Sequence, residues 1–206
     1  AYGVEVVDTL ESVTVFNTQT KALEVLANKD CLFGYRDSLF KRNPGKYCIL
    51  LVRFCLSKTS AFNLNYGELK DLDTQAGIGV IDVRNKVIEL RRSKLPDPDE
   101  IPNAGSFFKN PIVSKTKADE LGSKYPGLVS YPVSESEVKL AAGWLIDHAG
   151  WKGYREENAG VHEKQALVLV NHKNATQEEL LGLALKIQTS IKSLFGLALE
   201  IEPIVL

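Results

Sequence analysis

Methionine is absent from this chain of 206 residues, tryptophan occurs twice, and cysteine three times, at Cys31, Cys48 and Cys55. An odd number of cysteines with no C-x-x-C spacing excludes a disulfide scaffold and gives no zinc signature. Charge excess is missing too: 25 Lys and Arg against 26 Asp and Glu leave a net −1, too little for a global field that holds nucleic acid or an acidic membrane. Any anion site must be local. No apolar run reaches the roughly 18 residues that span a bilayer, and the opening residues do not read as a secretory signal. The expectation is a soluble, cytoplasmic protein with no nucleic-acid or membrane partner. The Gly-x-Gly-x-x-Gly fingerprint is incomplete, because Gly77-Ile-Gly79 is followed by Val80, Ile81 and Asp82, which argues against a Rossmann site. No Gly-x-Ser-x-Gly elbow surrounds Ser106, so Ser106, His162 and Asp147 do not read as a hydrolase triad.

What is present is ample apolar material: 44% of residues are hydrophobic, enough for a packed core in one or two domains. Ser12 to Phe16 alternates, Asn17-Thr-Gln-Thr20 reads as a turn, and Ala22 to Leu26 returns, which predicts a hairpin. Tyr47 to Leu56 is apolar and β-prone, the pattern of a central strand. Val80, Val83, Val87 and Leu90 mark one face of a helix that ends before Pro96. Three prolines within Leu95 to Pro102 predict an exposed connector and a domain boundary. Downstream, Thr116 to Lys124 and Val138 to Ala149 read as helices, with Ala141-Ala142-Gly143 a small patch for close packing. Ala166 to Val170 reads as a buried strand. Thr176 and Glu179 form a capping box for a helix to about Leu194, and Leu197 to Glu202 a final strand. Strand, helix and strand imply an α/β or α+β sandwich for the second half.

The run Asn103-Ala-Gly-Ser-Phe-Phe-Lys-Asn-Pro111 concentrates chemistry. Ala104 and Gly105 permit close approach, while Phe107 and Phe108 can anchor the segment. If Ser106 to Asn110 is extended, Ser106, Phe108 and Asn110 share one face and Phe107 and Lys109 the other. An ordinary turn entering a strand is the competing reading. A second block, Gly34-Tyr-Arg-Asp-Ser38, sets Tyr35, Arg36 and Asp37 between apolar anchors. With Lys94-Leu-Pro-Asp-Pro98, Asn65-Tyr-Gly-Glu-Leu69, Lys139 to Asp147, Val161 to Asn171 and the opening Ala1 to Glu5, these segments resemble the UDP-N-acetylenolpyruvoylglucosamine reductases (the MurB family), in family order.

The resemblance implies an α+β protein. Residues 1–95 would be the remaining part of an FAD-binding domain, and residues 96–206 an α/β sandwich that binds substrate. It implies NADPH-dependent, FAD-mediated reduction of UDP-N-acetylglucosamine enolpyruvate to UDP-N-acetylmuramate for peptidoglycan synthesis, by a monomer of the tyrosine-loop subgroup. Ser106 would give a proton to the carbanionic carbon. Arg36 would pair with the substrate carboxylate through its planar fork; its alternative is a surface pair with Asp37. Glu202 would be the acid, although Ile201 stands where the family has proline and a shifted register brings Ile204 there. Substrate contacts would come from Tyr2, Tyr66, Lys94, Asn110, Tyr131, Lys139, Lys152 and Gln165. Because the opening segment matches the inside of the flavin domain, the alternative is a flavin-free fragment that binds the UDP-sugar without turnover.

Overall fold

A computed structural model describes residues 2–59, 62–72 and 77–205. The chain divides after Leu90 into two compact units.

In the first unit a short helix α1 (Val6–Thr9) leads into β1 (Leu10–Asn17), where Val13, Val15 and Asn17 are buried at alternate positions. Asn17 Oδ1 accepts the backbone N–H groups of Gln19 and Thr20 at 3.0 and 3.2 Å. That side-chain turn returns the chain into β2 (Ala22–Ala27), antiparallel to β1, and the expected hairpin is present. Helix α2 (Leu39–Arg42) is capped by Ser38. Strand β3 (Tyr47–Phe54) pairs with the other side of β1, giving the order β2-β1-β3. The central-strand expectation fails here. β3 lies at the sheet edge, and Ile49, Leu50, Leu51, Val52 and Phe54 are 41–57% exposed. An apolar run records the burial a strand needs; among the described residues β3 has one strand partner, and the cluster on the sheet is centred on Leu10, Val13, Val15 and Cys31. Helix α3 (Val80–Lys94) buries Leu90 with Leu69 and Leu72, and Val83 and Val87 pack beside them. Val80, at its first position, is exposed.

The second unit contains β4 (Asn103–Ser106), β5 (Ile112–Ser114), α4 (Lys115–Lys124), β6 (Ser130–Pro132), β7 (Glu137–Leu140), α5 (Ala142–His148), β8 (Arg155–Glu156), β9 (Ala159–Val161), β10 (Val168–Asn171) and α6 (Gln177–Phe195). Its sheets have the orders β4-β10-β9-β8 and β5-β7-β6, and every pairing is antiparallel. This is an α+β arrangement of mixed helix and sheet. Thr176 and Glu179 form the expected reciprocal cap on α6, and Gly196, at φ 68°, ends it. Leu183, Ala184, Ile187, Ile191 and Phe195 form its buried stripe, packed with Leu140, Leu145, Ile146, Leu169 and Phe108 in one core.

Two expectations need correction. Val138 to Leu140 is strand rather than the first turn of a helix: Val138 pairs with Val113 on one side and Pro132 on the other, and α5 starts only after Ala141. Neighbouring strands outweigh local helical preference there. The terminal strand is reduced to one bridge, Phe108 with Ile201.

Candidate active site

One segment organises the candidate residues of the second unit. From Ser106 to Ile112 the backbone is tied to three other stretches in succession. Ser106 pairs with Val168, and the Phe107 N–H donates to Leu167 O at 2.7 Å, which brings the turn carrying Gln165 alongside. Lys109 N–H donates to Glu200 O and Glu202 N–H to Phe107 O, both at 2.9 Å, so the terminal stretch lies on this segment with Glu202 opposite Phe107, one residue from Ser106. In that register Ile204 falls beyond the bridge and is exposed. Pro111 O accepts the Leu140 N–H at 2.9 Å, Ile112 pairs with Lys139, and Asn110 Oδ1 accepts the Ala142 N–H at 2.8 Å. Ser106, Asn110, Lys139, Gln165 and Glu202 are all half-buried.

Small residues make this assembly possible. A Cβ placed on Gly143 would lie 3.2 Å from Gln165 Oε1 and 3.4 Å from Leu167 Cγ, so a side chain there would push against the turn that carries Gln165. Gly105 has φ 71°, a left-handed bend that L-residues resist, placed just before Ser106. Asn103 Oδ1 accepts the Gly105 N–H at 2.9 Å and closes that bend. Tyr131 pairs with Lys139 across β6 and β7, and the Lys139 ammonium lies 6.0 Å from its ring centroid, at the outer limit of cation–π attraction.

Lys152 follows α5 and ion-pairs with Asp147, which serves as its counter-ion. Lys94 ends α3. Arg36, Tyr2 and Tyr66 belong to the first unit. Gly34 and Asp37 exchange backbone hydrogen bonds at 3.0 and 3.1 Å around the turn Tyr35-Arg36, in which Arg36 takes φ 53°. A non-glycine residue in the left-handed region carries a conformational cost. Asp37 accepts from Arg42 Nε at 2.6 Å, so Arg42 is a carboxylate partner that the sequence reading did not identify. Tyr2 and Tyr66 meet edge to face at 5.5 Å, and Asn63 Nδ2 donates to Gly3 O at 2.7 Å, tying the Tyr66 loop to the residues around Tyr2. Ala1, which begins one of the segments quoted above, lies outside the described residues.

Two further features were not legible in the sequence. Lys109 forms an ion pair with Glu200 across the bridge; alternation within each stretch was legible, but their pairing is a long-range fact. His162 has its Nδ1 buried without a hydrogen-bond partner, and burial lowers the imidazole below its ordinary value.

Comparison with known proteins bears on this geometry. The profile of the UDP-N-acetylenolpyruvoylglucosamine reductase C-terminal domain matches residues 97–206, more than half of the chain. The chain belongs to the UDP-N-acetylenolpyruvoylglucosamine reductase family. Relatives bearing that reductase name include the Pseudomonas putida protein, 47% identical over 98% of this chain and 61% of its own length, and that of Pseudomonas aeruginosa, 46% identical with the same coverage. The Chromobacterium violaceum protein is 46% identical over 100% of this chain and 62% of its length. The chain thus spans about three fifths of these relatives. A crystal structure of UDP-N-acetylenolpyruvylglucosamine reductase from Thermus caldophilus superimposes with TM-score 0.58 and 24% identity over 95% of this chain and 52% of that one, a likeness of fold. No helix among the described residues is long and apolar enough to cross a membrane.

Proposed function

We propose that this chain supplies the substrate side of UDP-N-acetylglucosamine enolpyruvate reduction, the NADPH-dependent, FAD-mediated step that yields UDP-N-acetylmuramate in the cytoplasm. Residues 96–206 form the substrate-binding domain, and residues 1–95 contribute to a flavin domain. The observation that carries this is the gathering of a hydroxyl, two amides, an ammonium and a carboxylate by the single stretch Ser106 to Ile112. Family membership supports it.

In this reading Ser106 transfers its proton to the carbon next to the one that is reduced, and the neutral hydroxyl stays protonated until that carbanionic centre forms. Lys139 neutralises diphosphate charge, with Tyr131 beside it for an aromatic contact. Gln165 and Asn110 present hydrogen-bonding atoms to the uridine or sugar, while Asn110 Oδ1 also holds the start of α5. Glu202 faces the reacting group from the terminal stretch. Arg36, Tyr2, Tyr66, Lys94 and Lys152 act as further carboxylate and nucleotide contacts of the same monomeric enzyme.

Two cavities among the described residues do not fit FAD. One of about 140 Å³ is lined by Glu156, Glu157, Glu179 and Lys186, and another of about 310 Å³ by Asp71, Asp82, Glu89 and Lys86. In each the lysine already pairs with a carboxylate, Lys186 with Glu156 and Lys86 with Glu89, and a flavin pyrophosphate would face the remaining acids. The same observation favours a second reading, a flavin-free fragment that binds the UDP-sugar without turnover.

Two measurements separate the readings and test both. Purified protein that is yellow and binds UDP-N-acetylglucosamine enolpyruvate in calorimetry supports the reductase; colourless protein that binds supports the fragment. Absence of UDP-sugar binding removes both. Lys139→Ala should weaken binding about tenfold, worth about 1.4 kcal/mol. In flavin-loaded protein Ser106→Ala should slow substrate-dependent flavin reoxidation by about 10²–10⁴ and leave flavin reduction by NADPH unchanged.

A further inference from the structure

Gly143 is the second residue of α5, and its backbone does not ask for glycine. It lies outside the left-handed region, and alanine is the better helix former at such a position. Two other helical glycines, Gly122 in α4 and Gly182 in α6, have open space where a Cβ would be, whereas a Cβ on Gly143 would lie 3.2 Å from Gln165 Oε1. Its distances to Leu167, 3.4 and 3.6 Å, are ordinary van der Waals contacts. The tight neighbour is the carboxamide.

The turn that carries this carboxamide is fixed by its backbone. Val168 N–H donates to Gln165 O at 3.0 Å, His162 N–H to Val168 O at 2.9 Å and Phe107 N–H to Leu167 O at 2.7 Å. The side chain is held less firmly, because the Leu167 N–H reaches Gln165 Oε1 only at 3.5 Å, the outer limit of a hydrogen bond. A methyl group on Gly143 is therefore accommodated by swinging the carboxamide away rather than by moving the turn. Displacing the end of a flexible side chain costs the fold little, and the helix gains from alanine. Stability gives no reason for glycine here; the place of one carboxamide does. The same helix start holds the other candidate amide, since Asn110 Oδ1 accepts the Ala142 N–H at 2.8 Å.

We propose that Gly143 is a positioning residue for substrate binding: lacking a side chain, it is the seat against which the Gln165 carboxamide rests, so that the start of α5 sets Gln165 by contact and Asn110 by a hydrogen bond. The value of a fixed Gln165 rests on the proposed function; the seat itself does not. A side chain at position 143 takes the seat and releases Gln165 without unfolding the unit.

Urea unfolding, calorimetry with UDP-N-acetylglucosamine enolpyruvate and NMR of side-chain amides test this on the whole chain. Gly143→Ala should keep or raise the urea midpoint and yet weaken binding about threefold to tenfold, the loss of one hydrogen bond. Gln165→Ala should weaken binding as much, and the double variant no further, because the first change has already displaced the group that the second removes. Without ligand, the Gln165 side-chain amide signal of Gly143→Ala should move to the position and sharpness of an exposed glutamine. That of Asn171, which is bonded to Ala175 within its own loop, should stay in place and report a folded unit. A clearly lowered midpoint makes Gly143 a packing residue and overturns the proposal, as do additive losses, unchanged affinity or an unmoved Gln165 signal. If the parent chain binds no UDP-sugar, a displaced Gln165 signal counts against the proposed function and leaves the seat standing, whereas an unmoved one removes both.

Discussion

Strands β3 and β10 are both short apolar runs of β-prone residues, and they end in opposite circumstances. In β10, Val168, Leu169 and Val170 are 0–2% exposed, between β4 and β9 and beneath α6. In β3, five large apolar side chains are about half exposed at a sheet edge. Apolar sequence states a demand for burial; neighbours elsewhere in the chain decide whether it is met. The second unit meets it with one continuous core, whereas the first splits into two small clusters.

The sharpest way to break this comparison is to delete equal volumes on each side. Ile187→Ala, at a position with no exposure, should cost about 2–5 kcal/mol in urea unfolding; Leu51→Ala on β3 should stay within about 0.5 kcal/mol. Similar losses would mean that β3 is buried in solution. A smaller effect tests how tightly the second unit is packed. A Cβ on Gly160 would lie 2.9 Å from His172 Nε2 and 3.0 Å from the Tyr154 carbonyl oxygen, and that backbone has little room to give. Gly160→Ala should therefore cost about 1–3 kcal/mol, whereas Gly122→Ala, in α4 with nothing within 4 Å of the added carbon, should be neutral or stabilising.

The mildest perturbation is pH. Burial lowers His162, with Glu163 opposing and Lys164 assisting, and burial with the Arg155 charge lowers His172. Both folded imidazoles thus favour the neutral form more than unfolded ones do, and the unfolded chain takes up protons first as pH falls. Stability from these groups is complete above the ordinary imidazole value of about 6.5 and is lost progressively as pH falls below it towards the lowered folded values. Denaturation midpoints recorded from pH 8 to 5 should decline, and His162→Gln should lessen the decline. A midpoint independent of pH would remove this linkage.

Local signals in the sequence were legible where short-range physics determines the outcome. The β1–β2 hairpin, α3, and the capping box of α6 follow from side-chain turns, periodicity and reciprocal hydrogen bonds within four residues. The start of α5 was misread because Val138 is claimed by two distant strands. Within the candidate site, the motif around Ser106 and the small patch before Trp144 stood out by composition. The pairing of Lys109 with Glu200 did not, because it joins residues 91 positions apart, and no local pattern encodes which of two acids one residue apart a lysine selects.

Trp144 stacks on His148 at 4.6 Å and Trp151 lies edge-on to Tyr154 at 4.9 Å, and these are the chain's two tryptophans. Indole emission is consequently blind to the first ninety residues. A fluorescence-monitored melt follows the second half alone, and a circular-dichroism melt of the same sample includes both, so any gap between the two curves measures how independently the halves come apart.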